Sequence, residues 1–108
     1  MSGTISVLRF EHETVIRISG HFGYEMFSRF QAAYRNETDE TIYGRRFIID
    51  LAGTEYIDSS ALGMLNVLRV LIDIRTGNGG ASIEIINARP AIRKILETAN
   101  MGRLLKIT

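Results

Sequence analysis

Two neighbouring hydroxyls, Ser59 and Ser60, follow Asp58 where a short polar stretch gives way to a long apolar run. Upstream, Phe47-Ile48-Ile49-Asp50-Leu51 reads as a strand covered on both faces, followed by a short polar loop leading to Asp58. The hydroxyls then fall on the first turn of a helix, where the dipole and unpaired N–H groups favour negative charge. A solvent-facing hydroxyl fixed there suits the attachment and removal of a phosphate. The same residues also suit a structural role, because Asp and Ser are preferred N-caps whose side-chain oxygen accepts a hydrogen bond from an orphan N–H. One cap needs only one of them. With Asp58 capping, Ser59 is left to face solvent and Ser60 to turn partly inward.

A phosphate on Ser59 would add about −1.5 to −2 charge at neutral pH. At a helix N-terminus that charge should not unfold the domain. Its effect falls on a partner, through like-charge repulsion or the cost of desolvating the phosphate, and Asp58 beside it sharpens the repulsion. The chemistry therefore predicts a binding switch and not a folding switch.

Other constellations carry less. His12 and His21, the two histidines, read as turn residues with no metal-ligand spacing. Ser59 lacks a Gly-x-Ser-x-Gly elbow and an evident base. Gly77-Asn78-Gly79-Gly80 follows a helix, so it reads as a C-cap and turn and not as a phosphate cradle. With no Walker motif, any ATP must come with a partner. Neither an enzyme nor a bound cofactor is expected.

The elements that must position the serines follow from the changing apolar period. Thr4–Phe10 and Thr14–Ser19 alternate as strands around the Glu11-His12-Glu13 turn. After Gly20-His21-Phe22-Gly23, the residues Met26, Phe27, Phe30, Ala33 and Tyr34 mark one face of a helix ending near Asn36, and Glu37–Gly44 is a polar connector. The central helix runs from Ser59 to about Thr76. Ala81–Asn87 is a strand, and Pro90 opens a helix whose buried face is Ile92, Ile95, Leu96 and Ala99, with Gly102 just beyond its end. Leu104–Ile107 is a final short strand. Strands alternating with helices imply an α/β sheet with parallel members.

Plotted at about 100° per residue, the central helix puts Val67, Leu71, Met64, Leu68, Ala61, Ile72 and Leu65 on a core arc. Ser59, Leu62, Gly63, Asn66, Arg69, Val70 and Asp73 occupy the opposite one. Leu62 and Val70 beside Ser59, with Gly63 as a flat spot between them, read either as scattered surface apolars or as a docking patch. Leu62, Gly63, Asn66 and Val70 are the candidate partner-binding residues of that patch.

Composition narrows the classes. A chain of 108 residues is most simply one domain, residues 1–108. A net charge of +1, with Arg45-Arg46 as the nearest approach to a basic stripe, gives no footprint for nucleic acid. The absence of cysteine argues against a disulfide scaffold or thiolate metal site. Neither a signal peptide nor a bilayer-length apolar run is present, so a cytoplasmic protein without membrane insertion is expected.

The segment Ile57-Asp58-Ser59-Ser60-Ala61-Leu62-Gly63 resembles the Asp-Ser-Ser/Thr-Gly-Leu-Gly element of STAS domains, and the likeness runs over nearly the whole chain. It implies the STAS fold: a mixed four- to five-stranded sheet with about three to four helices packed mainly on one face. Among anti-sigma factor antagonists the serine after that aspartate, here Ser59, is phosphorylated by a partner that is both serine kinase and anti-sigma factor. The unphosphorylated form binds that partner, and a PP2C-type phosphatase restores it. Ala61 stands where glycine is usual; it points into the core and is the better helix former. A STAS subunit docking on the ATPase of a lipid-transport ABC complex, or an interaction module whose serines only cap, remain alternatives, as does homodimerisation through the apolar patch. A neighbouring permease or ATPase gene would favour the transporter, and a neighbouring kinase or phosphatase gene the switch.

Overall fold

The computed structural model describes residues 3–35, 45–76, 82–103 and 105–108. The connector Glu37–Gly44, the end of the first helix at Asn36, the Gly77–Gly80 turn, Ala81 and Leu104 lie outside the described residues. Five strands form one mixed sheet in the order β1 (Thr4–Arg9), β2 (Glu13–Phe22), β3 (Arg46–Ile57), β4 (Ser82–Ile86), β5 (Lys106–Ile107). β1 and β2 are an antiparallel hairpin, and each later strand joins in parallel. The helices are α1 (Phe27–Arg35, led by a 3-10 turn at Tyr24–Met26), α2 (Ser59–Thr76) and α3 (Pro90–Thr98).

Alternation along the strands sends Ile16, Ile18, Phe47, Ile49, Leu51, Ile83 and Ile85 to one face. There they meet Phe30 and Tyr34 of α1, Ala61, Leu65 and Leu68 of α2, and Ile92 and Leu96 of α3 in a single core. The other face carries Arg17, Asp50, Arg46 and Glu84, tied by ion pairs such as Arg17–Asp50 at 3.5 Å and Arg46–Glu84 at 3.1 Å. β3 is thus covered by helices on one face only. Its other face is screened by neighbouring side chains, which leave Ile48 buried between Val15 and Glu84.

Two strands run further than their periodicity predicts. β3 continues through the supposed loop to Ile57, and β2 continues past Ser19 to Phe22, because each supplies the other with a parallel partner. Register shifts at Arg17/Ser19 and Gly20/His21 absorb the mismatch. Gly20 sits there at φ 78°, a conformation that glycine adopts without steric cost. Gly53 is needed for close approach, since a Cβ there would collide with the Ser19 side chain.

Four expected core residues lie at the surface: Phe27, Val67, Ile95 and Ala99. α3 stops one turn before Gly102. Asn100 takes the left-handed conformation at φ 59°, and the Ala99 N–H still donates to Ile95 O at 3.0 Å.

Candidate functional site

The start of α2 is built by its capping residue. Asp58 Oδ1 accepts from the N–H groups of Ser60 at 2.8 Å and Ala61 at 3.2 Å, and the Asp58 N–H donates to Phe22 O at 3.3 Å. That last bond fixes the helix to the end of β2. Ser59 is exposed and Ser60 half-buried. The cap therefore occupies two of the N–H groups at this terminus, so a charge on Ser59 would meet an occupied cap beside a carboxylate.

The second Asp58 oxygen faces a residue that the sequence pattern placed in a solvated turn. His21 lies within β2, and its Nε2 is 3.4 Å from Asp58 Oδ2, while its ring meets Tyr56 edge-on at a centroid distance of 4.8 Å. That Nε2 is shielded from solvent and makes no hydrogen bond. Gly23 completes the cluster, because a Cβ at this position would run into both Asp58 Oδ2 and His21 Nε2. Only the parallel register of β2 and β3, with His21 opposite Tyr56 and Phe22 opposite Ile57, brings these residues together. The Gly-His-Phe-Gly string was the local signal, but its partner lies far off in sequence.

Two apolar grooves flank the first turns of α2. One, about 490 Å³, lies between α2 and α3 and is lined by Leu62, Ala91, Lys94, Ile95, Thr98 and Ala99. The other, about 310 Å³, lies between α2 and the start of α1, lined by Tyr24, Phe27, Ser60, Gly63, Met64 and Val67. The displaced residues Phe27, Ile95 and Ala99 are groove walls. Val67, expected in the core, is 51% exposed. The buried arc of α2 is centred on Ala61, Leu65, Leu68 and Ile72, and Val67 projects well to one side of it.

Of the four patch residues, Gly63, Asn66 and Val70 are exposed, and nothing lies within 4 Å of a Cβ built on Gly63. Leu62 is half-buried and packs against the core rim. The outward ridge extends past the patch, through Val67 and Val70 to Ile74, which is 75% exposed. Among the described residues no group of His, Asp and Glu is arranged to hold a metal, and no helix is long and apolar enough to cross a membrane.

The family model described as Mlab, STAS domain matches residues 6–106. The chain belongs to the STAS domain family. It is 38% identical over 96 residues to a STAS-domain containing protein of Pseudomonas aeruginosa, covering 89% of this chain and 88% of that one. In fold, this STAS domain is similar to an anti-sigma factor antagonist from Mycobacterium paratuberculosis (TM-score 0.72, 16% identity, covering 98% of this chain and 85% of that one). It is also similar to the anti-sigma factor antagonist SpoIIAA in its unphosphorylated form (TM-score 0.71, 16% identity, 97% and 88% covered). The Bacillus SpoIIAA in its phosphorylated form matches at a TM-score of 0.59 with 14% identity, covering 97% of this chain and 91% of that one. Among the described residues, five strands in a mixed sheet with three helices give the expected STAS architecture.

Proposed function

We propose that this STAS domain is a partner-switching protein whose state is set by phosphate on Ser59. The observation that carries the reading is the division of labour at the start of α2: Asp58 alone provides the cap, and Ser59 is left exposed between two apolar grooves. The unphosphorylated form docks a serine kinase that doubles as an anti-sigma factor and brings its own ATP. The contact runs along Leu62, Gly63, Asn66 and Val70, with Asp58 and Ser60 flanking the acceptor. Phosphate on Ser59 stands beside Asp58 and adds charge at the centre of an otherwise apolar contact, so the partner is released by desolvation and repulsion while the fold persists. A PP2C-type phosphatase resets the cycle in the cytoplasm. The fold likeness to SpoIIAA, a protein known in both forms, supports this reading.

The test is intact-mass and peptide mass spectrometry on protein purified from its native host, in growth and under stress. Phosphate localised to Ser59, in a fraction that changes between conditions, is the expected result. A single unmodified species under both conditions overturns the switch and leaves a constitutive docking module or the transporter subunit. With the kinase in hand, Ser59→Asp should lose binding at an unchanged melting temperature, whereas a constitutive module would bind both Ser59→Ala and Ser59→Asp.

A further inference from the structure

The solvent side of α2 has a period of its own. Gly63, Val67, Val70 and Ile74 are spaced by four, three and four residues, the a/d spacing of a coiled-coil seam. All four are exposed, and Ile74 is the most open of the three branched side chains. In the same register Ala61 and Leu68 fall at b, Leu65 and Ile72 at f, and these are the residues buried against the sheet. One side of the helix therefore packs on strands, and the other carries the spacing that packs on a helix.

In a coiled coil each knob enters a hole formed by four residues of the facing helix. Ser60, Gly63, Met64 and Val67 are such a set, at i, i+3, i+4 and i+7. They form the α2 side of the groove of about 310 Å³, whose other wall is Tyr24 and Phe27. Gly63 is what opens this hole, because a Cβ built there meets nothing within 4 Å. The hole lies at the N-terminal end of the seam, and the most prominent knob, Ile74, lies at its C-terminal end.

We propose that α2 packs antiparallel on α2 of a second copy of this chain, about a two-fold axis between Val67 and Val70. In that register Val67 faces Val70 of the second copy, and Ile74 of each copy enters the hole at Gly63 of the other. Hole and knob lie equally far from the midpoint of the seam, so the fit of large on small occurs at both ends at once. Parallel pairing would set Gly63 on Gly63 and Ile74 on Ile74, leaving a void at one end and crowding the other. Antiparallel pairing also turns the positive end of each α2 dipole toward the C-terminal end of the other helix. On one flank Asn66 comes opposite Asp73 of the second copy, where its amide can donate to that carboxylate. Arg69 pairs with Asp73 within its own chain at 2.6 Å. On the other flank Met64 meets Leu71 of the second copy. This match of the seam to itself selects a second copy over an unrelated helix. Gly63 and Val70 are inside the contact, so the dimer and the kinase complex proposed above exclude one another; that consequence alone rests on the Ser59 reading.

The seam covers about 16 Å of helix at about 1.5 Å per residue, a small contact, so a reversible dimer with micromolar affinity is expected. Sedimentation equilibrium of the full chain from about 1 to 500 µM reads it. Gly63→Leu fills the hole where the chain itself leaves space, and it should weaken the dimer about tenfold or more without lowering the melting temperature. Ile74→Ala, which removes the knob, should act in the same direction. The chain has no cysteine, so cross-linking reports the register directly. Gly63→Cys and Ile74→Cys proteins, mixed and oxidised, should join to each other, and neither should join to itself. A monomer at every concentration overturns the proposal. So does a dimer indifferent to Gly63→Leu, or one in which each cysteine variant cross-links with itself. None of these measurements involves a kinase or a phosphate, so their failure is distinct from failure of the Ser59 switch.

Discussion

The two arcs of α2 both carry large apolar side chains, and those side chains meet opposite fates. The inner arc, Ala61, Leu65, Leu68 and Ile72, is almost wholly buried against the sheet. The outer arc runs from Ser59 past Gly63 and Asn66 to Val67, Val70, Asp73 and Ile74; it mixes polar and apolar residues, and Val67, Val70 and Ile74 are open to solvent. Hydrophobicity alone does not separate them. What does is the geometry of the sheet below, which can seat only one side of a straight helix. The apolar residues beside the exposed hydroxyl have no role in the core, and that contrast separates the residues expected to hold the fold from those expected to meet a partner.

The largest effect expected along this contrast is from Leu68→Ala. It removes a fully buried side chain and should cost about 2–5 kcal/mol in urea unfolding; a loss below about 1 kcal/mol would mean that the inner arc is not the core. Next is Asp58→Ala, which strips the cap from Ser60 and Ala61 and should cost about 0.5–2 kcal/mol. Asp58→Asn, which keeps an acceptor oxygen, should recover most of that loss. If Asp58→Ala melts like the parent, Ser59 or Ser60 can cap, and the division of labour at this helix end fails.

On the outer arc, Val67→Gln combined with Val70→Gln should leave stability within about 0.5 kcal/mol while weakening the proposed partner contact. A clear drop in melting temperature would show the ridge to be packed after all.

The smallest effect concerns the open face of the sheet. The Thr108 hydroxyl, with Arg46 and Lys106, holds the Glu84 carboxyl below the usual carboxylate range, against the opposing effect of desolvation. A carboxyl lowered in the folded state stabilises it above the unfolded group's pKa, and the contribution is lost as pH falls through the folded value. Thr108→Val should therefore make the acid limb of a melting-temperature profile shallower. At neutral pH the variant should melt slightly below the parent, and the two should converge as pH falls through the folded value of Glu84. An unchanged acid limb would mean that Glu84 does not tie β5 to the sheet.

The start of α2, its cap and its exposed serine were legible because capping chemistry is local: an acidic residue, then hydroxyls, then an apolar run leave few alternatives. The alternation of strands and helices was legible for the same reason, and so was the antiparallel hairpin around Glu11-His12-Glu13. The full lengths of β2 and β3 were not. Ala52–Tyr56 is too polar to read as a strand, and it becomes one only because β2 lies alongside with unpaired backbone groups. Nor could sequence place His21 and Gly23 against Asp58, since that meeting depends on a parallel register between strands separated by a whole crossover.

By itself, then, the sequence determined where the α2 helix begins, which residue caps it and that a hydroxyl stands free beside the cap, because these depend on chemistry within a few bonds. Tertiary structure decided which apolar residues are core and which are surface. Phe27, Val67, Ile95 and Ala99 have helical spacing compatible with burial, but a sheet of fixed twist and width offers room to only part of each helix. The residues left over line the two grooves beside Ser59.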